Sequence, residues 1–452
     1  MTRNRAVLRY LVSVLALALL ASACGDDDPA LEEPTATETT ETGATPTEVD
    51  TTEATEATEP TEGDAPETAS VDGVLTIGRV LPETGNLAFL GPPMIAAVQL
   101  AVQDINEAGG VLGQDVVLLE GDEGDGDGTV ANQTVDRHLA EGADAIFGAA
   151  GSGISLTFID KVTGAGVIQI SPSNTAATFT DYDDDGLYFR TAPSDSLQGP
   201  VLADQLIGDG AATVAILSRS DDYGRGLAEA TQQGIEDAGG EVVASITYDH
   251  QAQNFDAEVS EAAAANPAAV VLIGFDESAR ILQSMIEAGI GPDALPVYGV
   301  DGNRSDTLAE TVNPQDPSVL QGMRGTSPAV KHSEEFIDRL MEFEPSLTDT
   351  LFAGESYDAI VIVALAAEIA GTDDPGAIAA EINGVTQEGG TECTTVADCL
   401  DLIEQGETIT YAGALGVLNF QDAGEPGAGT YDIWEMQADG SVQTVDTVSI
   451  SI

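Results

Sequence analysis

The stretch VLTIGRVLPETGNLAFLGPPMIAAVQLAVQDINEAGGVLG, residues 74–113, decides the fold. It opens on an apolar, β-rich run from Val74 to Leu81, which predicts a strand. Apolar residues then recur at helical spacing from Pro92 to Ala108, and the following Gly-Gly pair ends that helix. A strand followed by an amphipathic helix is the repeating unit of sheets that are built from parallel strands.

The same alternation continues along the chain and restarts after Arg190. Further strands are predicted at 116–119, 145–148, 167–170, 214–217, 242–248, 269–273 and 296–300. Further helices are predicted at 129–141, 155–163, 196–207, 224–238, 255–265 and 277–288. Two such runs predict an α/β fold with two doubly wound parallel-sheet lobes, whose ligands bind at the carboxyl ends of the strands.

The last third of the chain is less regular. Helices are predicted near 334–343 and 352–370, and strands near 417–420, 430–436 and 442–450. The run from Ala359 to Ala367 is apolar on all sides, which predicts a buried helix.

The composition excludes several classes of function. The 452 residues include 78 acids and 14 bases, for a formal charge of −64. Such a chain offers no basic patch to nucleic acid or to anionic lipid. Three histidines and three cysteines leave little material for a metal site or a His-based catalytic centre, and we expect no cofactor. Residues 71–452 alone carry 11 bases against 63 acids. This acidic excess indicates a protein from a salty habitat, where salt screens the repulsion, or it serves solubility alone.

The N-terminus is typical of an export signal. Three arginines precede an apolar core at 11–21, and small residues then lead to Cys24. This pattern resembles a bacterial lipobox, so residues 1–23 are predicted to be a signal peptide and Cys24 to be lipidated. The alternative is an ordinary signal peptide that is cut after Ala23. Residues 25–70 hold 15 acids, 13 threonines and no base, so 24–70 is predicted to be the lipidated cysteine with a disordered tether.

Six short phrases of sequence carry a family resemblance. They are IG with LPETG at 77–85, AVQDINEAGGVLG at 101–113, ISPSNT at 170–175, FRTAPSD at 189–195, DYGRGLA at 222–228 and NP at 266–267. With these phrases in order, residues 74–440 resemble the substrate-binding lipoproteins of ABC importers, in the branched-chain amino-acid (Leu/Ile/Val) binding family.

The resemblance implies a type I periplasmic binding protein fold, with two lobes that close about a three-crossover hinge. Lobe one would be 71–194 plus 328–428, and lobe two would be 195–327 plus 429–452. A small-molecule ligand, an amino acid of branched-chain or related type, would bind between them. The protein would be an exported monomer without enzymatic activity, anchored to the outer face of the cell membrane. Its partners would be the ABC permease subunits.

The resemblance also implies the ligand site. Family members hold the ligand carboxylate with hydroxyls after the third and fourth strands, here Ser152, Ser173 and Thr175. Hydroxyls and backbone N–H groups at loop-to-helix junctions favour an anion, although Ser152 and Thr175 also suit helix N-caps. The family's acid for the ligand ammonium falls on Asp301, which could instead be a turn residue in Asp-Gly.

Four further positions fall in the implied cleft. Tyr223 stands at a family cleft tyrosine, and Phe275 stands near the next one. Asp276 could supply a second acid or cap the following helix, and Leu90 stands where an aromatic residue often shields the ligand. These departures keep a second ligand class open, namely an amide or an aromatic acid.

The remaining cysteines and acidic loops point to no metal. Cys393 and Cys399 in an exported chain favour a small disulfide loop over metal binding, since no histidine is near. The acidic loops at 122–128 and 181–186 lack the bidentate glutamate of a calcium loop, so they are interpreted as solvated loops.

Other functions compete with import. A ligand sensor that signals to a receptor would use the same fold, whereas a purely structural surface protein would need no cleft. An enzyme is disfavoured because Ser152 is not in Gly-x-Ser-x-Gly: Ala150 and Ile154 occupy the glycine positions. The three histidines also lie away from the predicted strand ends.

Overall fold

The computed structural model describes residues 71–329 and 332–451. The predicted signal peptide, the lipidated Cys24 and the tether lie outside the described residues. Within the described part, no helix is long and apolar enough to cross a membrane.

Strands and helices alternate along most of the chain. The strands are β1 (Thr76–Val80), β2 (Val117–Leu119), β3 (Ala145–Gly148), β4 (Ile168–Ser171), β5 (Tyr188–Arg190), β6 (Thr213–Arg219), β7 (Glu241–Tyr248), β8 (Ala269–Ile273), β9 (Val297–Gly299), β10 (Arg324–Pro328), β11 (Thr391–Cys393), β12 (Ile409–Tyr411), β13 (Ala428–Met436) and β14 (Val442–Ser451). The helices are α1 (Gly91–Glu107), α2 (Thr129–Ala140), α3 (Ser152–Ser155), α4 (Ile159–Gly164), α5 (Asp195–Gly208), α6 (Asp222–Asp237), α7 (Asp256–Ala264), α8 (Ser278–Glu287), α9 (Leu308–Val312), α10 (Glu334–Phe343), α11 (Ala353–Ala370), α12 (Pro375–Thr386) and α13 (Val396–Glu404). Short 3₁₀ helices lie at Ala177–Asp181, Asp301–Asn303 and Pro317–Leu320.

Two separate sheets carry the fold. The first sheet is parallel, in the order β2-β1-β3-β4-β5. The second sheet has the order β14-β13-β10-β9-β8-β6-β7, and β13 runs antiparallel to both of its neighbours. The central strands β3, β4 and β8 are buried along their whole length, as expected where helices cover both faces of a sheet. The α/β prediction with parallel sheets is confirmed.

Helix α1 shows how the opening stretch sets this pattern. Prolines at its first turn suit a helix start, because their missing N–H would have no intrahelical partner there. Gly109 and Gly110 follow the helix with φ values of 118° and 78°, in a region that favours glycine. The chain therefore reverses and returns to the sheet through β2.

Helix α11 forms the centre of a helical layer beside the first sheet. Every residue from Ala353 to Ala367 is buried, because α11 packs against α1, α12 and α13. The predicted burial of the run 359–367 is therefore confirmed.

The chain crosses between the two sides three times: from β5 to the second sheet, from β10 to the helical layer beside the first sheet, and from that layer back to β13. These three passages are the basis on which we propose the two lobes, 71–194 with 328–428 and 195–327 with 429–452. A hinge would lie where the three connecting segments run side by side.

Some predicted elements differ from the structure. The predicted strand at 417–420 is wrong, because Asn419 takes a φ of 50° and Phe420 makes only an isolated bridge to Pro426. The predicted helix at 155–163 is two short helices, α3 and α4. Strand β10 was not predicted, since its sequence RGTSP shows no apolar alternation and it is buried through its pairing with β9 and β13.

Candidate ligand-binding site

The carboxyl ends of strands from both sheets meet at one small cavity. Six of the seven predicted ligand-binding residues line it, and all follow a strand: Ser152, Ser173, Thr175, Tyr223, Phe275 and Asp301. Leu90 lines it as well. The cavity volume is about 20 Å³, which is space for about one water molecule. An amino acid does not fit this space, so the two sides must separate before one can enter.

The first-sheet side contributes hydroxyl groups. Ser152 opens α3, and its Oγ accepts a hydrogen bond from the Ala176 N–H at 3.3 Å. Ser173 Oγ donates to the Ala150 carbonyl at 3.2 Å. The Thr175 Oγ1 atom is buried without a hydrogen-bond partner. The N-cap alternative is wrong for Ser152 and Thr175, since Gly151 and Ala176 hold the cap positions and no side-chain cap bond forms there.

The second-sheet side contributes a buried carboxyl. Asp301 follows β9 and is 4% exposed. Its Oδ1 accepts hydrogen bonds from Gln198 Nε2 at 2.8 Å and from the Tyr223 hydroxyl at 2.9 Å. Burial raises the pKa of Asp301, although these two hydrogen bonds oppose the rise. Both side-chain donors bind the same carboxyl oxygen, Oδ1, so neither of them binds Oδ2.

An aromatic pair separates the cavity from a buried charge network. The rings of Tyr223 and Phe275 stack with centroids 5.3 Å apart, and the Arg219 guanidinium lies 3.5 Å from the Phe275 centroid. Arg219 is itself paired with Asp221 at 2.6 Å and with Glu277 at 3.0 Å. The positive charge of Arg219 is therefore already neutralised by these two carboxylates. Within the described part of the chain, the cavity lining contains no basic side chain.

Asp276 does not join the predicted site. It lines a separate cavity of about 210 Å³ beside Asn86 and Phe89, because the chain turns between Phe275 and α8. It also forms no side-chain cap of α8, whose N-cap is Glu277.

Asp195 and Gln198 were missed in the sequence. Asp195 is the first residue of α5 and is fully buried, with neither carboxyl oxygen hydrogen-bonded. Gln198 lies one turn later and reaches Asp301. The signal was present in the phrase FRTAPSD, whose last residue is an acid at the start of a predicted helix. Its position behind Thr175, on the same helix as Gln198, depends on tertiary structure and could not be read from spacing.

Apolar side chains complete the cavity. Leu87 and Phe352 border it from the first-sheet side. Phe352 precedes α11 with a φ of 59°, a left-handed conformation that costs a non-glycine residue energy.

Arg190 anchors the loop that carries Ser173 and Thr175. Its Nη1 donates to the Asn174 carbonyl at 3.1 Å and to the Ala176 carbonyl at 2.8 Å. Its Nε donates to Glu425 Oε2 at 2.7 Å, and both side chains of this pair are almost fully buried. The site loop is thereby fixed to the segment that returns the chain to β13.

A larger cavity of about 760 Å³ lies along the three connecting segments, beside Thr191, Ala329 and Gly427. None of the predicted ligand-binding residues borders it, and we assign it no role.

Cys393 and Cys399 form a disulfide bond, with Cα atoms 5.3 Å apart. The bond joins β11 to α13 and lies away from the cavity, so it fixes the helical layer rather than the site.

The oxidised state of this pair is a testable expectation. Non-reducing mass spectrometry of the exported protein should give a mass two hydrogens below that of the dithiol. The short loop should stabilise the fold by about 2 kcal/mol, measured as the loss in a Cys393→Ala/Cys399→Ala variant. Two thiols that alkylate freely in the native protein would contradict the expectation.

Comparisons with known proteins agree with this architecture. At 30% identity, 370 residues match a chemotactic signal transduction system substrate-binding protein, BasB, of Halobacterium salinarum, covering 78% of this chain and 85% of BasB. A Leu/Ile/Val-binding protein homolog of Brucella suis is 26% identical, over 80% of this chain and 91% of that protein.

A solved structure and a family model extend the comparison. The leucine-binding protein LivK of Thermotoga maritima superposes with a TM-score of 0.69 at 22% identity, covering 83% of this chain and 99% of LivK. The model of the periplasmic binding protein family matches residues 74–398. With two sheets whose strand ends meet at one cavity and with a family match over most of its length, this chain belongs to the periplasmic binding protein family.

Proposed function

We propose that the protein captures an amino acid, branched-chain or related, by closing its two lobes, and delivers it to an ABC permease. Members of the family are extracytoplasmic proteins that bind small molecules, and the relatives and the fold are those of binding proteins rather than enzymes. The ligand class is our own inference from the cavity.

The observation that supports an amino acid is the division of polar groups across the cavity. Hydroxyls of Ser152, Ser173 and Thr175 lie on one side, and the Asp301 carboxyl lies on the other. A zwitterion is buried favourably only if both of its charges meet partners. The hydroxyl side would receive the carboxylate, and Asp301 would receive the ammonium.

A ligand screen tests the proposal. Thermal-shift measurements with the L-amino acids, simple amides and aromatic acids should show the largest shift for an amino acid, because a ligand that binds only the folded state raises its stability. Calorimetric titration then gives the affinity, with the N-acetylated form of the same amino acid as the matched control. Equal binding of the acetylated compound would overturn the role of the ammonium.

Similarity to BasB supports a second candidate, in which the closed lobes signal to a membrane receptor. Uptake of labelled ligand by cells distinguishes import from sensing. Deletion of the gene abolishes uptake if the protein serves import, and it leaves uptake unchanged if the protein serves sensing.

We also propose anchoring through a lipid on Cys24, with the tether of residues 24–70 between lipid and lobes. A Cys24→Ala variant should be released from the membrane fraction, because it lacks the thiol that would carry the lipid. Cell fractionation measures how much of the variant stays in the membrane fraction. The control is Ser22→Ala, which keeps the cysteine. Full membrane retention of Cys24→Ala would contradict lipid anchoring.

A further inference from the structure

Buried hydrogen-bond acceptors without partners collect behind the cavity. They are both carboxyl oxygens of Asp195, the amide oxygen of Gln198 and the hydroxyl oxygen of Thr175. The three side chains are at most 1% exposed. Buried polar atoms are nearly always satisfied in folded proteins. The Thr175 hydroxyl is the one atom of these four that can donate, so this group has too few hydrogen-bond donors.

The three side chains are connected to Asp301 and to the cavity. The Asp195 N–H donates to the Thr175 carbonyl at 2.7 Å, and Thr175 lines the cavity. Gln198 lies three residues after Asp195 on α5, hence on the same face of the helix, and donates to Asp301 at 2.8 Å. Asp195 and Asp301 therefore both lie beside Gln198, which hydrogen-bonds Asp301 but not Asp195.

We propose that Asp195 is a second carboxyl of the binding site, and that the pair Asp195 and Asp301 holds one proton until a ligand ammonium replaces it. This inference rests on the proposed function, since it takes an ammonium-bearing ligand as the occupant. The proton passes to solvent as the ammonium binds, so the charge of the site is conserved. Asp195 acts as a positioning residue, because Asp301 lies nearer the cavity.

The surrounding charges favour one proton on the pair. Burial and the charge of Asp301 raise the pKa of Asp195 well above its usual range. The nearby Thr175 hydroxyl and the Arg190 charge lower it, and Asp221 raises it further. The hydroxyl lies near the Asp195 carboxyl without forming a hydrogen bond of good geometry. From β13, the Tyr431 hydroxyl donates to the Ser194 carbonyl and offers the two carboxyls no charge. Arg190 is already paired with Glu425, so it compensates little of the second negative charge.

The protonation of the pair also predicts how the affinity for each class of ligand should depend on pH. A protonated pair must lose its proton to accept an ammonium, so affinity for an amino acid should rise about tenfold per pH unit until the pair has ionised. An anionic ligand without an ammonium would keep the proton, and its affinity should fall as the pH rises. The sign of the pH dependence therefore identifies which class of ligand the cleft takes.

The first experiment needs no ligand. Protein labelled with ¹³C at the aspartate carboxyls is titrated by NMR between about pH 5 and pH 8, a range in which an unperturbed Asp is ionised. We expect a carboxyl signal that is still protonated at pH 6 and is lost in both Asp195→Asn and Asp301→Asn. Burial raises the pKa of Asp144 to about 7, so a second such signal should be present and should persist in both variants. The exposed Asp204 of the same helix gives the matched control, Asp204→Asn. Ionisation of both Asp195 and Asp301 throughout this range would overturn the proposal.

The second experiment uses L-isoleucine as the probe and benzoate as the anionic comparison. Titration calorimetry at one pH, in phosphate and in Tris, measures the number of protons that are released when the ligand binds. We expect close to one proton per bound isoleucine for the parent protein and about none for Asp195→Asn. Equal release by both proteins would overturn the role of Asp195. If none of the L-amino acids in the screen binds while the NMR signal is present, the proposed function fails and the shared proton stands.

Discussion

An Asp301→Ala variant is expected to bind its amino-acid ligand about 30-fold more weakly or worse, a loss of about 2–5 kcal/mol. The variant leaves the ligand ammonium in a closed cavity without its carboxyl partner, and a buried unpaired charge is costly. Folding should be affected less than binding, because burial opposes the charged form of Asp301 and because Gln198 and the Tyr223 hydroxyl keep other hydrogen-bond partners. Calorimetric titration with the ligand found in the screen measures the loss.

Two variants sharpen this result. Asp276→Ala removes an acid from the neighbouring cavity and should leave the affinity within about threefold, since exposed or distant charges contribute little. Thr175→Val should cost about 1–3 kcal/mol, because backbone donors remain on the hydroxyl side. If Asp301→Ala binds as tightly as the parent, the assignment of the ammonium to Asp301 is wrong.

An Arg190→Met variant should lose about 3–5 kcal/mol of unfolding free energy, because it leaves Glu425 buried without its cation. It should also weaken ligand binding, since Arg190 holds two carbonyls of the loop that carries Ser173 and Thr175. Urea unfolding followed by circular dichroism gives the first quantity, and calorimetry gives the second.

The matched control is Arg324→Met, which breaks ion pairs that are about one-third exposed. Such pairs contribute at most about 1 kcal/mol. Replacing both partners, in Arg190→Met/Glu425→Met, should recover much of the stability, since no buried charge is then left alone. An Arg190→Met protein as stable as Arg324→Met would contradict the anchoring role of Arg190.

Local patterns were sufficient to predict the strand–helix alternation. Runs such as 269–273 are continuous apolar strands, and Gly-Gly pairs such as 109–110 mark helix ends. The family phrases placed six predicted site residues after strands whose ends meet at one cavity, because parallel strands bring their carboxyl ends together.

What the sequence did not show depends on long-range pairing. Strand β10 lacks apolar alternation and is recognised only through its neighbours β9 and β13. The link from Gln198 to Asp301 joins residues that are 103 positions apart, which no local pattern encodes. Asp276 follows Phe275 directly, yet the turn into α8 sends it to another cavity.

The small cavity between the lobes has a kinetic consequence. Its walls come from both sheets and leave only about 20 Å³, so an amino acid can enter or leave only while the lobes are apart. Dissociation can then be no faster than lobe opening, and hinge motions of this kind take microseconds to milliseconds. Residence time would respond to substitutions in the connecting segments that change opening, even where no ligand contact is altered.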